Sequence, residues 1–258
     1  MNMFSVKEFI ILFLIFLRIT SAFVSAPFFG NKVIPVVAKL FISLIVSYII
    51  FLSTDHSAVK EVPTGWLLFI YSFKEVITGL IIGFALQFVF FAVSYAGTLI
   101  GFEIGLNMAE VFNPSEEVSS NVIGEVLYFS AILIFLLING HHYLIRALQQ
   151  SFDVVEIGMF SFQEPLYQTL IKLAGSVFVI AVKIATPILI SFFLINIAEG
   201  IISRMIPTLQ VFFVTQPLKV GLGLFMLGLI SPVYIYMIKN LLRDYENQLY
   251  LIIRSMSS

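Results

Sequence analysis

The chain has no cysteine among its 258 residues. Disulfides, thiolate metal sites and cysteine nucleophiles are therefore excluded. Charge is scarce too. Asp, Glu, Lys and Arg make up 11% of the residues, against about 25% in soluble domains. The net charge of −1 gives no global pull toward nucleic acid, so no nucleic-acid partner is expected. There is no Walker loop, no H-E-x-x-H and no G-x-S-x-G. Enzyme chemistry has no visible seat, and no cofactor or metal is implied. His141 and His142 are adjacent, so on a helix their side chains diverge and make a poor metal pair.

What fills the chain instead is apolar: 60% of residues, with a mean hydropathy of +1.04. No soluble fold of this size could hide so much apolar surface. Its solvent is lipid, other apolar protein, or both. The N-terminal run is interrupted by Arg18, and Lys7 is balanced by Glu8. It reads as a retained first helix rather than a signal peptide.

Six apolar blocks of helical length emerge: about Phe9–Phe29, Val33–Ser53, Trp66–Gly105, Val122–Ile138, Tyr167–Ile202 and Leu209–Ile238. The spacing predicts an all-α membrane protein of helices in hairpins, some of them broken or overlong. It predicts one subunit over residues 1–258, with no separate soluble domain. Pro27, Gly30, Asn31 and Pro35 mark a tight turn after the first block. Within the third block, Trp66–Gly101 would make a helix of roughly 54 Å, while the hydrocarbon core is about 30 Å thick. A hidden break would resolve this, but there is no proline, and no glycine between Gly83 and Gly97. A helix projecting beyond the bilayer is favoured. The fifth block is also too long for one simple span, and Pro187 predicts a kink in it. The connection Asn139–Gln168 and the tail Lys239–Ser258 read as polar. Counting Lys and Arg near the block ends places both termini in the cytoplasm.

The stretch Gly97–Gly140 departs furthest from merely spanning lipid. Gly97, Gly101 and Gly105 recur every four residues, which lines one helix face with small residues and predicts a packing seam. Gly79 and Gly83 share that spacing. An acidic loop follows, with Glu110, Glu116 and Glu117 around Pro114. A solvated connector would need no Leu106, Met108, Val111 or Phe112, so a segment folded back into a cavity as a plug is favoured. Charges inside the apolar blocks are costly in lipid, by about 2.5–3.5 kcal/mol each. Arg18, Glu75, Lys183 and Lys219 are therefore candidate buried charges. Lys172, near a block end, is better placed to snorkel.

In the order and spacing of its motifs the chain resembles the FliR family of flagellar export-gate proteins, whose injectisome relatives are called SctT. The N-terminal hairpin carries the resemblance at Arg18, Ser25-Ala-Pro27 and Val33-Ile-Pro35-Val-Val-Ala-Lys39. The centre carries it at Ala96-Gly97, Gly101, Gly105-Leu106 and Asn113-Pro114, where the family often has Asp-Pro. Further on come Asn139-Gly140-His141-His142, Ser151-Phe152, Gly200-Ile-Ile-Ser-Arg204-Met-Ile-Pro207 and Pro217-Leu-Lys219-Val-Gly221. The resemblance implies a non-enzymatic subunit of a helical export gate in the bacterial inner membrane, at the flagellar basal body. Part of that complex projects above the bilayer. It implies FliP-like and FliQ-like partners, FlhB-like and FlhA-like export proteins, and unfolded flagellar proteins as substrates. It also implies that Gly105–Ser119 folds into the pore and helps keep it shut. Gly105, Leu106, Asn107, Met108, Glu110, Val111, Phe112, Asn113, Pro114, Glu116 and Glu117 are the residues concerned. A small-molecule secondary transporter is the rival of a different class.

Overall fold

In a computed structural model, the described residues are 5–31, 34–54, 63–106, 122–206 and 211–256, without the side chains of Phe212 and Glu246. Among them every regular element is a helix: α1 (Val6–Ser25), α2 (Val36–Ser53), α3 (Trp66–Ile104), α4 (Val122–Leu137), α5 (Gly140–Val154), α6 (Glu164–Met205) and α7 (Val211–Ser255). The chain is an all-α membrane protein. Five of these helices are long and apolar enough to cross a bilayer, and α4 with α5 would make a sixth span if counted together.

Local chemistry explains several helix ends. Ser5 caps α1 through a capping box: its hydroxyl accepts from the Glu8 amide at 3.2 Å, and the Glu8 carboxylate accepts from the Ser5 amide at 2.8 Å. Pro35 sits at the N-cap of α2, so the helix starts three residues after the apolar block does. The α3 helix is unbroken for 39 residues, a length of about 58 Å. It holds no proline, and no break is seen. It ends in a Schellman turn. The Leu106 amide donates to the Gly101 carbonyl at 3.1 Å and the Gly105 amide to the Phe102 carbonyl at 3.1 Å. Gly105 itself has φ +87°, a left-handed conformation that favours glycine.

Two readings of polar sequence need correction. The connection Asn139–Gln168 is not all loop, because it contains α5. Leu144, Ala147, Leu148, Ser151 and Phe152 are buried at i, i+3, i+4, i+7 and i+8, one face of an amphipathic helix. Asn139 starts it in a left-handed conformation, φ 61°. The tail Lys239–Ser258 likewise continues α7 to Ser255. Leu242, Tyr245, Leu249, Ile252 and Met256 are buried at steps of three or four, so its charges lie off one apolar stripe.

The chain divides into two compact units, neither continuous in sequence. The first comprises Met1–Phe88, Leu136–Ala174 and Leu242–Ser258. Its core includes Ile15, Ile19 and Phe23 of α1, the inward face of α5 and the last turns of α7. Here α1 packs against α2, and α2 turns small residues inward. Ser43 and Ser47 are fully buried, and their hydroxyls donate back to the Lys39 and Ser43 carbonyls, at 2.8 and 2.5 Å. The second unit comprises Val89–Phe135 and Gly175–Leu241. Its core holds Val93, Ala96 and Ile100 of α3, with Ile184, Ala185, Ile188 and Phe192 of α6. Phe90 stands edge-on to both Tyr128 and Phe135.

Candidate functional site

Two groups of polar residues interrupt the apolar helices, one in each unit. In the first unit, α1 carries Arg18 and α3 carries Glu75, both fully buried. Arg18 Nε lies 2.5 Å from Glu75 Oε2, and Nη2 donates to Oε1 at 3.0 Å. The remaining guanidinium donors go to α5 and its exit. Nη1 reaches the Ser151 carbonyl at 3.0 Å and the Ser151 hydroxyl at 3.1 Å, and Nη2 reaches the Val155 carbonyl at 3.0 Å. All five N–H groups are thereby partnered. The ring of Phe152 lies 4.0 Å from the guanidinium carbon. Glu75 Oε1 also accepts from the Gly158 amide at 2.8 Å. One ion pair thus ties together α1, α3 and the turn after α5.

Gly79 and Gly83 make this possible. A Cβ on Gly79 would lie 2.1 Å from the Arg18 carbonyl oxygen, and one on Gly83 would lie 2.2 Å from that of Ala22. The four-residue spacing therefore marks contact with α1. In the seam Gly97, Gly101 and Gly105, two glycines face different helices. A Cβ on Gly97 would lie 2.4 Å from the Gly124 Cα in α4. Gly105 instead closes α3 beside Gln216 of α7. Gly101 is buried between them in sequence.

The second polar group surrounds the end of α3, in the second unit. Lys219 Nζ pairs with Glu199 Oε2 at 2.6 Å and donates to Asn196 Oδ1 at 2.7 Å. Asn196 Nδ2 reaches Glu103 Oε2 at 3.4 Å. Lys219 is half-buried and paired rather than fully enclosed. Lys183 is exposed on this chain. Ala181, Ile184, Ala185 and Ile188 take the inward face of α6, and Lys183 lies off that stripe.

Leu106 is half-buried at the root of the acidic loop. Asn107, Met108, Glu110, Val111, Phe112, Asn113, Pro114, Glu116 and Glu117 lie outside the described residues. The rings of His141 and His142 have centroids 4.2 Å apart, with their planes tilted by 40°. Among the described residues no group of three or more His, Cys, Asp or Glu could hold a metal ion. The pairing of Arg18 with Glu75 was missed from sequence. The available signal was two opposite charges in apolar blocks, neither with a local partner.

One family agrees with the chain along almost its whole length. The model of the bacterial export proteins, family 1, matches residues 9–245. The chain belongs to the bacterial export proteins, family 1. Among relatives in that family, the flagellar biosynthetic protein FliR of Bacillus subtilis is 31% identical over 230 residues, 88% of each chain. FliR of Escherichia coli K12 is 27% identical, over 84% of this chain and 82% of its own. FliR of Aquifex aeolicus is 29% identical, over 93% and 92%. The family and these relatives establish a membrane-located protein of flagellar biosynthesis and export.

Proposed function

We propose that this chain is a non-enzymatic subunit of the flagellar type III export gate in the bacterial inner membrane, contributing to the pore through which unfolded flagellar proteins leave. The observation that carries the reading is the likeness to FliR proteins over nearly full lengths. The helices favour an assembly over a lone transporter. The 42- and 45-residue α6 and α7 would be about 63 and 68 Å long, twice the hydrocarbon thickness of about 30 Å. Part of each must lie outside the bilayer, which suits a gate that projects above it. Their apolar faces are largely uncovered within the chain: Phe193, Leu194, Ile201, Phe213, Phe225 and Leu229 are all exposed. Outside lipid such faces need partner helices, and FliP-like and FliQ-like chains are the proposed ones, with FlhB-like and FlhA-like proteins docking on the assembled gate.

In this reading the segment from Gly105 to Ser119 closes the pore. Met108, Val111 and Phe112 seal it, and Glu110, Glu116 and Glu117 face water or partner donors. Co-expression with FliP-like and FliQ-like chains tests the assignment. The expected result is a stable complex containing all three. A chain that stays monodisperse alone and takes up a small solute saturably would establish the transporter reading instead. Needle-component genes beside its own would reassign the gate to an injectisome.

A further inference from the structure

We infer that Lys183 marks a docking face on α6: this face receives an apolar helix of a partner chain that carries a carboxylate at the depth of Lys183. The inference rests on the gate reading for the existence of partner chains, while the charge and its surroundings belong to this chain alone. Between Lys172 and Asn196, α6 has one charged residue, Lys183. It stands 11 residues from the first and 13 from the second, about 16 and 20 Å along the helix. A lysine stem is too short to carry its ammonium over either distance to a polar boundary. Helical phase sets Lys183 in line with Val179 and Ile190, and all three are exposed. The surroundings of the ammonium are therefore lipid or apolar protein, and a bare charge is costly in either.

Elsewhere the chain meets that cost internally. Arg18 is answered by Glu75, and Lys219 by Glu199. Among the described residues Lys183 has no such carboxylate, and α6 has no acidic residue between Glu164 and Glu199. A second observation points the same way. Pro187 lies inside α6, four residues further on. It has no amide hydrogen, so the Lys183 carbonyl lacks its usual intrahelical donor. The Thr186 hydroxyl does not replace that donor, because it bonds to the Val182 carbonyl at 2.6 Å. One residue thus combines an ammonium in want of an anion with a carbonyl in want of a donor. At this distance from either end of the apolar run a lipid phosphate is out of reach. A carboxylate on a neighbouring helix is the anion that fits there. Val179 and Ile190, one on each side of Lys183, supply the apolar contact of a helix–helix seam.

The test uses the complete gate, co-expressed with its FliP-like and FliQ-like chains and purified through this one. Lys183→Met removes the charge, Lys183→Glu reverses it and Lys183→Arg keeps it. Recovery of the partner chains is expected to fall several-fold for Lys183→Met, which leaves the opposing carboxylate unpaired. It should fall further for Lys183→Glu and stay near the parent level for Lys183→Arg. Lys172→Met, at the exposed lysine near the end of the block, should leave recovery unchanged. The isolated variants should melt no lower than the parent, because the side chain is exposed on the chain alone. Lysine is then placed in turn at each acidic residue of the partner helices, and one such change should restore recovery with Lys183→Glu. Parental recovery of Lys183→Glu overturns the docking face, and if export alone then fails, Lys183 faces the exported chain instead. Equal loss in all three variants shows a need for the lysine's shape and overturns the charge pairing, as does a scan in which no change restores Lys183→Glu. If the parent itself recovers no partner chains, the gate reading fails and this inference with it.

Discussion

Arg18 and Glu75 are 57 positions apart in sequence and meet as a two-bond ion pair with no solvent access to either side chain. The pair is not a surface ornament. Removing one partner leaves the other charged and buried, which costs about 3–5 kcal/mol. Arg18→Met and Glu75→Gln are both expected to lower the melting temperature sharply in detergent, and to reduce the amount of chain in the membrane. The double replacement Arg18→Met with Glu75→Met should recover part of the loss, because no lone charge remains. Recovery stays incomplete because the Val155 carbonyl and the Gly158 amide lose their partners. Equal stability of the single variants and the parent would contradict this account of the ion pair.

The glycines fall into two classes with opposite expectations. Gly79, Gly83 and Gly97 touch a neighbouring helix backbone, so a larger residue must push the helices apart. Leucine at any of them is expected to cost roughly 1–3 kcal/mol or more. Around Gly175 and Gly200 there is open space for 4 Å. Alanine there should stabilise the isolated chain by up to about 1 kcal/mol through helix propensity. Thermal unfolding of the purified chain separates the two classes. Loss of assembly on Gly200→Ala, with the chain itself more stable, would show a partner helix at that face.

The end of α7 gives a third expectation. Ile252 and Ile253 are buried at 0% and 1% exposure. Alanine at either should cost about 2–5 kcal/mol. Removing everything after Arg243 should destabilise the first unit, to which this segment belongs. A truncated chain that accumulates and melts like the parent would show the segment to be a dispensable tail.

Lys219 and Glu199 form a weaker pair. Their side chains keep 12% and 20% exposure, so water screens part of the interaction. Lys219→Met is expected to cost on the order of 1 kcal/mol, well below the loss at Arg18. The same melting measurement checks the ranking.

Much of the helical plan was legible because lipid imposes a simple rule: apolar blocks of sufficient length become helices. The unbroken α3 followed from the absence of proline, and of glycine between Gly83 and Gly97. Two helical segments were obscured by their charges. In α5 and the end of α7 the apolar residues occupy only one face, so average polarity hid a regular spacing that Leu144–Phe152 and Leu242–Met256 nevertheless display. Gly105 was read as the last member of a packing ladder, yet its left-handed backbone makes it the stop of the helix. Spacing alone cannot distinguish these, because a Schellman glycine and a seam glycine have the same side chain. The partner of Arg18 was hidden for a different reason. Long-range pairing depends on how helices pack, and only the packed chain brings Glu75 and Ser151 to one point. Lys183 depends on helical phase in the same way: Ala181, Ile184 and Ala185 take the inward face of α6, and Lys183 points away from the chain's own core.

The central claim is that the chain is a gate subunit whose loop after α3 holds a pore shut. The most direct measurement is leak through the complete gate after deletion of Asn107–Ser119, with assembly verified by co-purification of its partner chains. The account predicts a gate of normal composition that passes ions and small molecules when the parent does not. A correctly assembled gate that stays as tight as the parent would contradict it.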